Sequence, residues 1–222
     1  MQAPCTIEFP GVYTASACPR FAIRSIEDLF ATHGRSFPVG RGASLYAEET
    51  AADQVYLIVA GCVRVGRYEA DGKRQINAFH FAGEMFGFEP GRRHRFFAEA
   101  VSACELTVLP RATLQNLAAL DGALARRLWG HAEDELQRAQ EHMLLCRQAA
   151  VSRVLHFIEG VAERLGDPFE VELPMSRQDM ADHLGLTIET VSRAMTCLSA
   201  NGETSTTGAR RVRLRRPHQL AA

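Results

Sequence analysis

The residues best suited to recognising another molecule lie near the C-terminal end of the chain. Glu189, Ser192 and Arg193 are spaced so that a helix would present them on one face, and Cys197 extends that face by one turn. Together they offer a carboxylate acceptor, a hydroxyl group and a guanidinium that can donate two parallel hydrogen bonds. Such groups suit the edges of nucleic-acid bases and phosphate oxygens. The pattern therefore predicts recognition through hydrogen bonds.

Two short helices around a tight turn would position these side chains. Ser176 is a favourable N-cap and Asp179 follows three residues later, so the first helix should begin there. Gly185 supplies the turn, and Thr187 caps the second helix. The apolar residues of both helices recur at helical spacing and should be buried: Met180, Ala181, Leu184, Val191, Met195 and Leu198. The pattern predicts a helix-turn-helix, although a helical hairpin in an ordinary α-helical domain would share it.

A basic segment follows the second helix. The net charge of the chain is −1, so any affinity for nucleic acid must come from a local surface. Between residues 209 and 216, Val212 and Leu214 alternate with arginines, and the segment holds Arg210, Arg211, Arg213, Arg215 and Arg216. This alternation predicts an edge strand with a basic side that lies along phosphates, as in the wing of a winged helix. The polar segment 203–207 predicts a short first wing strand.

The N-terminal half of the chain has a different pattern. Residues 1–20 contain several prolines and little periodicity, which predicts a loose arm. Between residues 21 and 110, about eight short apolar or alternating segments are separated by glycines and other turn residues; Val55–Val59 and Cys62–Tyr68 are the clearest. We expect a compact β-barrel or jelly roll here.

Residues 111–147 predict a long helix. The stretch 111–145 contains no proline, and apolar residues recur in it at coiled-coil spacing: Leu128, Ala132, Leu136, Ala139 and Met143. A second copy of the chain would cover this seam, which predicts a parallel homodimer; packing of the helix against its own barrel is the alternative. Residues 148–222 then form a further domain that contains the helix-turn-helix.

Composition and motif spacing argue against several classes of protein. An apolar content of 46% and a charged content of 23% are typical of a soluble globular protein. No apolar run approaches the roughly 20 residues of a membrane span, and no signal-peptide pattern begins the chain, so we expect a cytoplasmic protein without a membrane partner. The six cysteines lack zinc-ligand spacing.

Catalysis is not favoured either. No nucleophile with an adjacent base and no paired carboxylates are evident. His80 and His94 could be imagined as metal ligands of a cupin-like enzyme, but no His-x-His pair accompanies them. We expect no metal site, and we expect the arginine-rich loop 92–95 around His94 to be solvated.

The order of barrel, long helix and winged helix, together with two motifs, resembles the Crp/Fnr superfamily of bacterial transcription regulators. Residues 186–193 read Leu-Thr-Ile-Glu-Thr-Val-Ser-Arg, which is similar to the Fnr-type recognition helix. Residues 78–89 read Ala-Phe-His-Phe-Ala-Gly-Glu-Met-Phe-Gly-Phe-Glu, which is similar to the barrel signature of the Fnr and FixK branches. The resemblance extends from about residue 21 onward and is greatest to the FixK branch. It implies an α+β fold with an N-terminal cyclic-nucleotide-binding-like barrel, a dimerisation helix and a C-terminal winged helix-turn-helix.

The resemblance also implies what binds and where. Glu189 and Arg193 should contact bases, since a glutamate can accept a hydrogen bond from cytosine N4 and an arginine can donate two to guanine. A dimer should recognise a TTGA/TCAA-type palindrome in double-stranded DNA and act with RNA polymerase, as an activator of transcription. The full set of expected DNA contacts is Ser176, Arg177, Thr187, Glu189, Thr190, Ser192, Arg193, Arg210 and Arg211.

Two departures from the superfamily concern cofactors. The catabolite-activator branch places Arg-Ser or Arg-Thr at the cyclic phosphate, whereas this chain has Arg95-Phe96 after Gly87-Phe88-Glu89. Fnr carries clustered N-terminal cysteines for an iron–sulfur cluster, whereas only Cys5 and Cys18 precede the barrel here. We expect regulation without cyclic AMP, an iron–sulfur cluster or another cofactor. The alternatives are a ligand- or haem-gated regulator of the same superfamily and a cupin-like metal enzyme.

Cys197 is a separate candidate. Its place one turn beyond Arg193 predicts exposure close to bound DNA, where oxidation would add bulk and negative charge beside phosphates. The alternative is an inert small residue.

Overall fold

The computed structural model describes residues 25–208 and 210–215. The predicted arm 1–20 and Arg216 lie outside the described residues. The first element is helix α1 (Ile26–His33), which Ser25 caps by accepting a hydrogen bond from the Asp28 amide at 3.0 Å. Leu29 and Phe30 are its buried residues, and they join a core cluster with residues of the following strands.

In the part of the N-terminal domain that the structure describes, there are eight strands. They are β1 (Arg35–Val39), β2 (Ser44–Tyr46), β3 (Gln54–Ala60), β4 (Cys62–Tyr68), β5 (Arg74–Phe81), β6 (Met85–Phe86), β7 (Phe97–Ala100) and β8 (Cys104–Pro110). Two four-stranded antiparallel sheets result, with orders β1-β8-β3-β6 and β2-β7-β4-β5. Residues of both sheets, among them Ile58 and Val63, share one buried cluster, so the sheets pack face to face. The predicted strands and the jelly-roll fold are confirmed, as two sheets rather than a closed barrel.

The predicted long helix is interrupted. Helix α2 (Arg111–Leu120) ends before Asp121, and helix α3 (Gly122–Leu145) begins after it. The Asp121 side chain accepts hydrogen bonds from the Ala123 and Leu124 amides and thus caps a new helix. The expectation of one uninterrupted helix over this segment was therefore wrong. Helix α4 (Ala150–Arg164) follows and buries an apolar face.

The C-terminal domain has the expected winged-helix elements. They are β9 (Glu170–Glu172), α5 (Arg177–Leu184), α6 (Ile188–Ala200), β10 (Thr204–Thr207) and β11 (Arg211–Leu214). The three strands form an antiparallel sheet of order β10-β11-β9. β11 therefore lies in the middle, which corrects the prediction of an edge strand. Its Val212 and Leu214 are buried, as the alternation required.

One apolar cluster connects the two domains. Ile76, Phe79 and Phe81 of β5 belong to the same buried cluster as Met180 and Leu184 of α5. The first helix of the helix-turn-helix therefore packs on the outer side of the jelly roll.

Candidate nucleic-acid interface

Helix α5 begins with a capping box. Ser176 Oγ accepts a hydrogen bond from the Asp179 amide at 3.1 Å, and the Asp179 carboxylate accepts one from the Ser176 amide at 3.0 Å. The helix ends at Gly185, whose φ of 63° lies in the left-handed region that favours glycine. The predicted start and turn of this helix are confirmed.

Helix α6 is held at both its first turn and its buried face. Thr187 Oγ1 accepts a hydrogen bond from the Thr190 amide at 3.2 Å, which confirms the predicted cap. The two hydroxyl groups of Thr187 and Thr190 also contact each other at 3.0 Å. The buried residues of the helix are Val191, Ala194, Met195 and Leu198. Because the helix is anchored this way, its remaining side chains are presented from a rigid backbone.

The outer face of α6 carries the predicted base-reading groups. Glu189 and Arg193 are exposed, and Ser192 is half-buried. Arg177 of α5, which is itself exposed, lies with its Nη1 atom 3.4 Å from Ser192 Oγ and so connects the two helices across this face. The Glu189 backbone amide and the Thr187 hydroxyl lower the pKa of the Glu189 carboxyl, so at neutral pH it is a hydrogen-bond acceptor.

The wing arginines do not stand alone. Arg213 donates to Glu170 Oε2 at 3.2 and 2.9 Å, and Arg211 lies 3.7 Å from Glu170 and 3.5 Å from Glu172. The strand register places Arg211 opposite Glu172 and Arg213 opposite Glu170. We did not foresee this pairing, although the alternation Glu-Val-Glu in one strand and Arg-Val-Arg in the other could have indicated it.

The wing arginines differ in what their head groups contact. Arg210 donates to the Pro174 carbonyl oxygen at 3.2 Å, which ties the wing to the segment before α5. The Arg211 and Arg213 side chains remain 56% and 69% exposed, so their outer surfaces can still reach a phosphate. Whether these residues contact DNA stays a prediction.

The predicted dimer seam lies along α3. Ala132, Leu136, Ala139 and Met143 are exposed, with Leu136 at 60% and Met143 at 63%. Leu128 is different, because it is half-buried against the core cluster that α1 and α2 share with the jelly roll. Its neighbour Trp129 is 69% exposed instead. The predicted seam did not include this tryptophan.

The jelly roll forms a cleft of about 980 Å³ against α3 and α4. Glu89 lines it, and its carboxylate accepts hydrogen bonds from the Arg95 amide at 3.1 Å and from Arg95 Nε at 3.0 Å. His94 is fully buried, and its ring stacks on Tyr46 with 3.6 Å between the ring centroids. The expectation that the whole loop 92–95 is solvated was therefore wrong at His94.

The remaining candidate residues are the possible metal ligands and Cys197. His80 is buried with Nδ1 3.6 Å from Glu84. Among the described residues, no three His, Cys, Asp or Glu side chains are grouped so that they could hold a metal ion. Cys197 is exposed, as expected, and its oxidation stays a prediction. None of the helices in the described part of the chain has the length and apolarity to cross a membrane.

Comparison with known proteins agrees with this architecture. Residues 37–121 match the cyclic nucleotide-binding domain, and residues 124–222 match the Crp-like helix-turn-helix domain. The nitrogen fixation regulation protein FixK of Azorhizobium caulinodans is 47% identical over 181 residues, which cover 79% of this chain and 73% of that protein. FixK of Rhizobium meliloti is 41% identical over 180 residues, or 81% of this chain and 82% of its own length.

A solved structure shows the same fold. FixK2 from Bradyrhizobium japonicum superposes with a TM-score of 0.78 at 40% identity, and the match covers 82% of this chain and 93% of that one. Two domain matches, two FixK relatives above 40% identity and this structure all agree with the motifs of α6 and of the jelly roll. The chain belongs to the Crp/Fnr superfamily of transcription regulators and is FixK-like.

Proposed function

We propose that this regulator binds a TTGA/TCAA-type palindrome as a homodimer and activates transcription through RNA polymerase. The observation that carries the proposal is the outer face of α6, where Glu189 and Arg193 are exposed one turn apart on a capped and packed helix. Glu189 would accept from cytosine N4, and Arg193 would donate to guanine O6 and N7. Arg177, Ser192 and the wing residues would contact phosphates and sugars, which position the helix without reading sequence.

The dimer follows from the exposed side of α3. Ala125, Trp129, Ala132, Leu136, Ala139 and Met143 recur at spacings of four, three, four, three and four residues. This is the heptad pattern of a two-stranded coiled coil, and all six residues are exposed or half-exposed in a single chain. Trp129 takes the place in the seam that was predicted for Leu128, because Leu128 packs against its own jelly roll. A parallel pair would place two α6 helices in successive major grooves, about 34 Å apart.

The site that holds cyclic AMP in the catabolite-activator branch is altered here. Glu89 and Arg95 are engaged with each other through two hydrogen bonds, and Phe96 replaces a residue with a hydroxyl donor. These features support DNA binding without cyclic AMP. A second candidate function remains, because the cleft of about 980 Å³ is large enough for a small molecule. In that case the chain would be a ligand- or haem-gated regulator.

Direct binding by the aerobically purified full chain, with no ligand added, distinguishes these functions. We expect the dimer to bind the palindrome at least about 10³-fold more tightly than a scrambled duplex at the same salt concentration. Fluorescence anisotropy measures both affinities, and sedimentation velocity measures the dimer. Specific binding that appears only after addition of a small molecule or haem would favour the second function instead.

Substitution of Arg193 provides the sharpest test of whether the outer face of α6, here called the reading face, contacts bases. Arg193→Ala should lower the affinity of the dimer for the palindrome by about 30-fold or more, because one bidentate guanine contact is lost in each half-site and each contributes about 1–3 kcal/mol. It should leave the affinity for scrambled DNA nearly unchanged. The matched control is Thr196→Ala, an exposed residue on the next turn whose hydroxyl donates to the Ser192 carbonyl oxygen at 3.1 Å. An equal loss on both duplexes for Arg193→Ala would assign this arginine to phosphate contact.

A further inference from the structure

Two arginines of the β4–β5 hairpin reach out of the jelly roll and bind carboxylates of α5. Arg64 Nη1 donates to Asp179 Oδ1 at 2.8 Å, and Arg74 Nη2 donates to the same oxygen at 2.7 Å. Arg74 Nε also donates to Asp182 Oδ2 at 2.8 Å. Arg64 also donates to Glu99 Oε2 of β7, from Nη2 at 2.7 Å and from Nε at 3.0 Å. The two domains are thus joined by a continuous network of charge-assisted hydrogen bonds.

This network is largely shielded from water. The exposed fractions of the side chains are 6% for Asp179, 13% for Asp182, 17% for Arg64 and 18% for Arg74. Such pairs are screened less than surface ion pairs, and loss of one partner leaves a buried charge without compensation. Asp179 is also the acid of the α5 capping box. The acid of the capping box at the start of this helix is therefore also held by the jelly roll.

A second contact lies beside the network. The His183 ring nitrogen Nδ1 lies 3.0 Å from the Ile76 carbonyl oxygen, and the ring packs edge-on against Phe79. Arg164 of α4 donates to the Phe79 carbonyl oxygen at 2.6 Å and to Glu84 at 2.7 and 3.0 Å. Strand β5 is therefore tied to α4 and α5 at several points, which resists rotation of one domain against the other.

The contact leaves the candidate DNA face open. Arg177, Glu189 and Arg193 are all exposed while Asp179 and Asp182 are bound by the jelly roll. A contact that inhibited binding by covering the reading face would bury these residues. The arginines also neutralise two carboxylates on a helix that would lie next to DNA phosphates if the proposed function holds.

We propose that the Arg64–Arg74 pair is an interdomain latch, which fixes the orientation of the helix-turn-helix on the jelly roll and thereby aligns both reading helices of a dimer for one operator. The consequence for DNA rests on the proposed function; the latch itself does not. With the latch broken, each DNA-binding domain would sample many orientations. Only a fraction would match the groove spacing, so the apparent affinity would fall by that fraction.

The test is a double-mutant cycle with Arg74→Gln and Asp182→Asn, in the full chain. Hydrogen–deuterium exchange reports the latch without DNA: we expect exchange of residues 74–81 and 177–184 to accelerate by about tenfold in either variant. Operator affinity should fall by about tenfold in each, and the double variant should lose no more than a single one. Arg64→Gln is a further variant if Arg74→Gln does not fold.

Lys73→Gln is the matched control. Lys73 is adjacent to Arg74 and carries the same charge, but its side chain is 79% exposed and pairs with Asp71 at 2.7 Å. It should change neither exchange nor affinity by more than about twofold. Unchanged exchange in Arg74→Gln and Asp182→Asn, or additive losses in the double variant, would overturn the latch. If the wild-type protein does not bind the palindrome, the proposed function fails, while the exchange measurements still decide the latch.

Discussion

Two groups of arginines that pair with carboxylates, those of the latch and those of the wing, differ in their access to water. Arg64 and Arg74 of the latch are 17% and 18% exposed and hold Asp179 and Asp182 between two domains. Arg211 and Arg213 of the wing are 56% and 69% exposed and pair with Glu170 and Glu172 across one small sheet. The same chemistry therefore stabilises an orientation where it is shielded, and leaves a cationic surface available where it is not.

The largest expected effect is a difference between the two sets of arginines in how much they contribute to the free energy of unfolding. Arg64→Leu with Arg74→Leu should lower the free energy of unfolding by about 3–5 kcal/mol, because Asp179 keeps a shielded charge without a cationic partner. Arg211→Leu with Arg213→Leu should lower it by less than about 1 kcal/mol. Chemical denaturation with circular dichroism measures both. Similar losses in the two double variants would show that shielding does not distinguish the sets.

The stability of the protein should depend on pH through His183, which lies beside the latch. Burial, together with the nearby His142 and Arg164, lowers the pKa of His183 to about 3, against the opposing effect of the hydrogen bond to the Ile76 carbonyl. In the unfolded chain His183 binds a proton near pH 6.5, whereas in the folded chain it stays neutral at that pH. The contribution of neutral His183 to the free energy of unfolding is therefore complete above pH 6.5 and is lost as the pH falls. We expect a loss of about 1–2 kcal/mol between pH 6.5 and 5.

His183→Asn tests the assignment, because an asparagine can still donate to the Ile76 carbonyl and does not titrate. The slope of stability against pH between 6.5 and 5 should become shallower in this variant, and denaturant midpoints at four or five pH values would measure it. His142 contributes to the remaining slope with the same sign, since burial lowers its pKa as well. An unaltered slope would show that His183 does not cause the pH dependence of stability.

The smallest effect should appear at the wing. Glu170→Gln with Glu172→Gln frees Arg211 and Arg213 from their carboxylates, so affinity for scrambled DNA should rise by about two- to fivefold at low salt. The gain should shrink at higher salt, and specificity for the palindrome should decrease. Anisotropy titrations at two salt concentrations provide the measurement. No change would mean that the wing arginines lie away from the phosphates.

Much of the reading domain could be predicted because its signals are local. Ser176, Gly185 and Thr187 act within one helical turn, and their roles follow from backbone groups a few residues away. The break at Asp121 was just as local and was missed, because the helical periodicity outweighed a capping residue followed by glycine. The short jelly-roll strands were recognisable from alternation and from turn residues between them.

The amino-acid sequence by itself determined the elements, the helix-turn-helix and its outward-facing Glu189 and Arg193, because those depend on short-range hydrogen bonds and periodic burial. Only the tertiary structure decided what the charged residues hold. Arg74 and Asp182 are 108 positions apart, and no local pattern connects them. Arg213 and Glu170 are 43 apart, and the alternation of their two strands indicates the pairing but not its exposure to water. Chain folding brings one pair into a shielded domain contact and leaves the other on an open sheet, and that difference in access to water makes one a latch and the other a wing.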